Sequence, residues 1–366
     1  MVILKRILII ILKIFSIICI IALFLSYASA YISPDKYKFW IIAFFGLLYP
    51  IILLANIILS IIWLILRKWM LAYHLFAIFI GWYFMTAQFQ YSGKKYDSNF
   101  KEDYIKIISY NVRNFGLYNY NKKDWSYNTK HRDSIFHFLS IQNADIICFQ
   151  EFVNVNNKLF KTVDTLVSFL KTSHIHAEYS VTTIKNNSFG LATLSTYPII
   201  SGGKITFPGN TNNFCMYSDI LYKKDTIRIY NLHFESIHLS KEDYKFAEEL
   251  SKEINLLNNE KIEHHSKQIF SRIKEGFIAR AGQVDIIVKH ILQSPYPVIL
   301  CGDFNDTPCS YTYHKIAKLL KDAFVESGSG LGTTYAGIFP SFRIDYIMYS
   351  NNFKSLGFTT FRVKYS

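Results

Sequence analysis

The stretch Val298-Ile-Leu-Cys-Gly-Asp-Phe-Asn-Asp306 decides how this chain is read. A short apolar run of strand character ends in a glycine and then presents Asp303 and Asn305. Side chains two apart on an extended backbone point to the same side. A carboxylate and a carboxamide therefore face one pocket at the carboxyl end of a buried strand. That pairing suits phosphate chemistry, because one group takes a proton from water while the other donates hydrogen bonds to a phosphate oxygen. The plain alternative is a strand followed by an Asn-Asp turn. The rest of the chain decides between them.

The 366 residues are 51% hydrophobic, and that content is unevenly spread. Residues 1–91 hold nearly all the long apolar runs and read as a membrane anchor. Three segments there reach the roughly 20 apolar residues that a bilayer crossing needs, near residues 7–31, 40–66 and 71–90. Ala28-Ser29-Ala30 resembles a signal-peptide cleavage site. Lys13 interrupts the first run, and the run is long for a signal core, so a retained helix is the better reading. With Lys5, Arg6, Arg67 and Lys68 kept inside, three helices place the remainder outside the cytoplasm. Lys36, Lys38, Lys94 and Lys95 oppose that bias. The expected protein is thus multi-pass, in a cytoplasmic membrane of bacterial type, with its larger part on the extracytoplasmic side. Lys13, Asn56 and His74 are the notable polar residues within the spans, and they form no evident relay.

The net charge of +13 does not mark a nucleic-acid track. Up to Phe100 there are nine Lys and Arg against two Asp, a net +7, so only +6 remains for the longer remainder. Basic residues flanking membrane helices account for over half of the excess, and no dense Lys/Arg run follows a phosphate backbone. The five cysteines read as small buried hydrophobes rather than a disulfide framework.

A polar linker over 92–103 leads into one α/β domain over 104–366. Strands are expected at Ile105–Tyr110, Asp145–Phe149, Leu191–Ser195, Thr226–Leu232, Val298–Cys301 and Ile344–Tyr349. Helices are expected at His131–Gln142, Lys158–Ser173, Lys241–Asn258, around Lys267–Leu292 and at Ser310–Leu320. His264 and His265 read as an exposed helix face. Several strand ends carry groups suited to phosphate or metal: Asn111, then Gln150 and Glu151, then Asn231, His233 and Glu235, then Asp303 and Asn305, then Asp345. Singly each has a plain explanation: Glu151 as a helix cap, His233 as a core histidine, Asp345 as a partner of Arg343. Together they match the way α/β domains build sites at the carboxyl ends of strands.

In this order the segments resemble the endonuclease/exonuclease/phosphatase superfamily of metal-dependent phosphoesterases. The matching pieces are Tyr110-Asn-Val-Arg, Phe149-Gln-Glu, Gly190-Leu-Ala-Thr-Leu-Ser-Thr-Tyr-Pro, Asn231-Leu-His-Phe-Glu-Ser, Gly302-Asp-Phe-Asn-Asp-Thr-Pro and Arg343-Ile-Asp-Tyr-Ile. The resemblance implies a four-layered α/β sandwich of two packed mixed sheets flanked by helices. It implies Glu151 as carboxylate ligand of Mg²⁺ or Mn²⁺, with Asn111 beside it on the metal's water or on phosphate. Asp303 would align or deprotonate the attacking water, and Asn305 and His233 would hydrogen-bond the phosphate. Tyr197, Arg113 and Glu235 fall near these motifs without an assigned role. The family pattern closes with Ser-Asp-His, whose histidine is held by the aspartate matching Asp345, whereas this chain reads Phe361-Arg-Val-Lys-Tyr-Ser366. A chain cut short accounts for this better than evolved inactivity, which would rarely keep Asn111, Glu151, His233, Asp303 and Asn305.

The sequence thus predicts a membrane-anchored, metal-dependent phosphoesterase acting on phosphodiesters or phosphomonoesters. Its expected partners are a phosphate ester of a nucleic acid, lipid or sugar, and the lipid bilayer; no protein partner is evident. The alternative is a phosphate-binding module without turnover, for want of the terminal Asp-His pair.

Overall fold

The computed structural model describes residues 2–36, 39–94, 104–119, 128–155, 160–170, 174–184, 186–209, 211–237, 242–243, 259–335 and 342–363. They fall into two compact units. The first comprises Met1–Phe84, Glu235–Val284 and Cys309–His314, and the second Met85–Phe234, Asp285–Pro308 and Lys315–Ser366.

The second unit holds both sheets. Its four-stranded sheet has the order β1-β2-β4-β3, from β1 (Ile107–Asn111), β2 (Ile146–Asn154), β3 (His174–Thr182) and β4 (Ser188–Ser195). Its six-stranded sheet has the order β5-β6-β7-β8-β10-β9. These strands are β5 (Ile199–Thr206), β6 (Phe214–Tyr222), β7 (Asp225–His233), β8 (Val298–Asp303), β9 (Lys321–Asp322) and β10 (Asp345–Tyr349). The pairs β1–β2 and β7–β8 are parallel and the others antiparallel, so both sheets are mixed.

Alternation assigns each face. Ile146 and Cys148 of β2 pack with Ile220, Ile227, Ile229, Ile299 and Cys301 of the other sheet, which forms the layer between the sheets. Ile147, Phe149 and Val153 point the opposite way, onto Ile135, Phe136 and Leu139 of a helix over Lys130–Gln142 and onto Leu166 of a helix over Val163–Leu170. Two mixed sheets flanked by helices are the architecture expected from the sequence. All five cysteines are free and buried, as small hydrophobes are.

Six expected strands are present; β2 runs five residues past its expected end at Phe149 and β4 begins three residues before Leu191. Three longer ones were not expected: β3, β5 and β6. The expected helix over Lys241–Asn258 lies almost entirely outside the described residues, as does most of the linker over 92–103. Residues 351–363 form no strand.

In the first unit one helix, Val2–Ser29, is an apolar rod of 28 residues, long enough to cross a bilayer. Its isoleucines 7, 10, 11, 14, 17, 18 and 21 are about half exposed. The expected second and third spans are not continuous. Trp40–Leu47 and Tyr49–Ile65 meet at 61°, and Met70–Ile80 and Trp82–Gln88 meet at 65°. Pro50 in the first turn after the earlier break and Gly81 at the later one explain both bends, since proline removes a helical donor and glycine weakens a helix interior. The unit therefore has one clear membrane-length helix and two bent pairs.

Its interior is fastened by polar groups. Asn56 Nδ2 donates to the Cys19 carbonyl at 3.0 Å and the Ile52 carbonyl at 2.8 Å. Asn56 Oδ1 stands 2.9 Å from His74 Nδ1, and Trp63 Nε1 donates to Ser16 Oγ at 2.8 Å. Asn56 and His74, which show no link in the sequence, are joined. Such bonds between apolar helices tie one helix to the next.

Candidate active site

The sheets carry their polar residues to one end. β1 ends on Asn111 and β2 pairs with it in parallel, Asn111 opposite Gln150. β7 ends on His233 opposite Asp303, the last residue of β8. β10 begins at Asp345, which lies opposite Asp303 from the other side. Asp303 thus has His233 on one flank and Asp345 on the other. Gly302 makes this register possible, because a Cβ there would stand 2.3 Å from the Leu232 carbonyl oxygen.

Asn111 joins the two sheets. Its Nδ2 donates to Glu151 Oε1 at 2.9 Å and to Asp303 Oδ2 at 3.1 Å, while its Oδ1 accepts the Arg113 N–H at 3.1 Å. His233 Nε2 is 3.8 Å from the same Asp303 oxygen. The other oxygen, Oδ1, accepts the Asn305 N–H at 2.8 Å. Asn305 Nδ2 donates to the Phe234 carbonyl at 2.9 Å. Thr334 Oγ1 accepts the N–H groups of Ile344 and Asp345, each at 3.0 Å, which fixes the entry of β10.

Two site residues hold strained backbone. Glu151 has φ 49° and Asn305 φ 51°, in the left-handed region that non-glycine residues rarely adopt. Glu151 lies where the β2–β4 register shifts between Phe149 and Phe152, and a bulge of this kind re-aims a side chain. The neighbouring run Arg113, Asn114 and Phe115 also has positive φ. Strain of this sort persists where surrounding contacts over-determine it. Here those contacts include a buried network under the site. Gln150 Nε2 donates to Asn231 Oδ1 at 2.8 Å, and Asn231 Nδ2 donates to the carbonyls of Phe149 and Ala192 at 3.1 and 3.0 Å.

The carboxylates repel one another. Burial pushes the Asp303 carboxyl up from the usual range and Glu151 pushes it the same way, against the opposing pull of His233, Asn305 N–H and Asn111. Asp345 is raised well above the usual range, by burial and then by Asp303 and Glu151, with Thr334 opposing. Among the described residues no three His, Cys, Asp or Glu side chains converge as a metal cage. Mg²⁺ does not need one: it retains several waters and takes one or two carboxylates. The hard carboxylate oxygens of Glu151, beside mutually repelling carboxylates, fit such an ion, while Asn111 turns its amide nitrogen to this side and its oxygen to the Arg113 N–H.

The six residues singled out in the sequence, Asn111, Glu151, His233, Asp303, Asn305 and Asp345, therefore come together in one place. Arg343 does not pair with Asp345. It is buried against Asp322, with Nη1 2.7 Å from Oδ2, and its Nη2 donates to the Ala87 carbonyl at 2.7 Å. Tyr197 packs edge-on against Tyr222 rather than beside these groups. Thr334 went unnoticed, since no motif carries it and its partner is eleven residues away.

A family model described as "Endonuclease/Exonuclease/phosphatase family" matches residues 108–364, and the chain belongs to that family. A second model, a domain of unknown function (DUF8431), matches residues 6–88. No curated protein matches. Among solved structures, an endonuclease/exonuclease/phosphatase family protein from Leptotrichia buccalis is 18% identical, with TM-score 0.46, covering 69% of this chain and 89% of its own. A mannosyl-6-phosphatase from Bacteroides thetaiotaomicron is 16% identical, with TM-score 0.45, over 69% and 87%. The human Nocturnin catalytic domain is 17% identical, with TM-score 0.43, over 68% and 83%.

Proposed function

We propose that this chain is a membrane-anchored, metal-dependent phosphoesterase that hydrolyses a phosphodiester or phosphomonoester with an activated water. The observation that carries the reading is the hydrogen-bonded line Glu151–Asn111–Asp303, which links a metal-type carboxylate to a base-type carboxylate across two sheets. Membership of the family supports it.

Asp303 is the proton acceptor for the attacking water. Its raised carboxyl brings its basicity closer to that needed near neutral pH. Water oxygen bonds to phosphorus, its proton passes to Asp303, and the bond to the leaving oxygen breaks. Asn305 has one N–H held by the Phe234 carbonyl and keeps a second for a phosphate oxygen. His233 stands beside Asp303 and donates toward the phosphate. Donors aimed at developing charge stabilise the transition state. Glu151 would hold Mg²⁺ or Mn²⁺, with Asn111 beside it on the ion's water or on phosphate, and the ion when bound would polarise a phosphoryl oxygen and offset charge on the leaving group.

The helix Val2–Ser29 supports anchoring in a membrane, and the bent pairs would serve as second and third crossings of a multi-pass anchor. Lys5, Arg6, Arg67 and Lys68 favour an extracytoplasmic catalytic domain. The substrate would be a phosphate ester of a nucleic acid, lipid or sugar. Glu151→Ala should abolish hydrolysis of bis(p-nitrophenyl) phosphate in Mg²⁺, and unchanged activity would reject the site.

A further inference from the structure

A helix over Asn259–Leu292 holds the main chain just beyond β7 with two side chains. Gln283 Oε1 accepts the Glu235 N–H at 2.9 Å, and Gln283 Nε2 donates to Glu235 Oε2 at 3.4 Å. Arg280 Nη1 donates to the Glu235 carbonyl at 2.8 Å. Gln283 is 3% exposed and Arg280 1%, so both polar heads lie where an unmade hydrogen bond is costly.

The Glu235 N–H belongs to the same peptide plane as the Phe234 carbonyl. That carbonyl accepts Asn305 Nδ2 at 2.9 Å and Asn213 Nδ2 at 2.6 Å. The peptide is rigid about its C–N bond, so holding one end orients the other. Gln283 holds the N–H end and Asn305 hangs from the C=O end. Asn305 needs such support because its own backbone is strained, with φ 51°.

We propose that Gln283 is a positioning residue for hydrolysis, acting through the Phe234–Glu235 peptide to aim the Asn305 carboxamide, with Arg280 securing the next carbonyl. This rests on the phosphoesterase reading above. Gln283 touches no reacting atom; it determines where the carbonyl that holds Asn305 stands.

The test uses the full chain in detergent with Mg²⁺ and bis(p-nitrophenyl) phosphate. Gln283→Leu should lower kcat roughly five- to tenfold, the worth of a lost neutral hydrogen bond, with KM little changed. In an Asn305→Ala background the same substitution should have no further effect. Val284→Ala, a buried neighbour on the same helix, should lower the melting temperature while leaving kcat unchanged. If the Gln283 and Asn305 effects multiply, or Val284→Ala lowers kcat equally, positioning is overturned and Gln283 only packs. Should Gln283→Leu not fold, Gln283→Met removes the same acceptor at similar length. A second readout is independent of turnover: the ¹⁵N-labelled Asn305 side-chain amide should shift in Gln283→Leu and not in Val284→Ala. An unshifted amide overturns the proposal even if the enzyme is active. A wild type that hydrolyses nothing, with the amide still shifted, overturns the phosphoesterase reading alone.

Discussion

Asn111 and Asp303 stand on different sheets, 192 residues apart in sequence, and meet through one hydrogen bond of 3.1 Å. The same amide nitrogen also reaches Glu151. One carboxamide therefore sets the spacing between the carboxylate proposed to hold a cation and the one proposed to accept a proton. Asn111→Ala should lower kcat about 10²–10³-fold, in the range of a lost preorganised donor. Steady-state kinetics in saturating Mg²⁺ check this; a loss below about threefold removes Asn111 from the machinery.

Buried carboxylates give the metal-free protein a pH signature. Asp303 and Asp345 hold protons more tightly when folded than in the unfolded chain. Their contribution to stability is whole below the unfolded carboxylate pKa of about 3.9 and is lost as pH rises through the higher folded value. In chelator the melting temperature should fall as pH rises above the unfolded carboxylate pKa of about 3.9, and Asp345→Asn should flatten much of that fall. A profile unaffected by Asp345→Asn contradicts the assignment.

Gly302 is predicted to tolerate no side chain. A Cβ there would press on the Leu232 carbonyl oxygen at 2.3 Å, backbone of the β7–β8 ladder, as well as on the Leu232 side chain, so moving the side chain alone does not relieve the clash. Gly302→Ala should cost about 1–3 kcal/mol, in the range of core overpacking. Urea unfolding measures it, and an unchanged midpoint would mean that the strands part freely.

Arg343 and Asp322 form a pair whose side chains are 1% and 3% exposed. Asp322 Oδ1 also caps the short helix Ala323–Ser327 by accepting the Phe324 N–H at 2.9 Å. Arg343→Met leaves a buried carboxylate without its cation and should cost about 3–5 kcal/mol. Adding Asp322→Asn should recover part of that loss, because the uncompensated charge goes with it. A double variant as unstable as the single would show that packing, not charge, sets the cost.

The motif strands were legible because each couples an apolar run to a polar end, the pattern shown by β1, β2, β7, β8 and β10. β3 was not, although His174, His176, Glu178 and Ser180 alternate with Ile175, Ala177, Tyr179 and Val181, because it holds no continuous apolar run and is partly exposed along its length. β5 hides behind Gly202-Gly203, where a Cβ would meet the rings of His176 and Tyr217. The long apolar runs 40–66 and 71–90 read as single helices because hydropathy does not register a bend at Pro50 or Gly81. The six candidate residues that the structure brings together could be picked out from strand ends and motif order. Thr334 and Gln283 could not, because their roles arise from hydrogen bonds made only once distant segments meet.

The most direct test of the account is hydrolysis of bis(p-nitrophenyl) phosphate by the full chain as Mg²⁺ is titrated from chelator upward. The account predicts no turnover in chelator, saturable activation by Mg²⁺, and loss of that activation in Glu151→Ala. Hydrolysis that persists undiminished in chelator, or activation that survives Glu151→Ala, would contradict it.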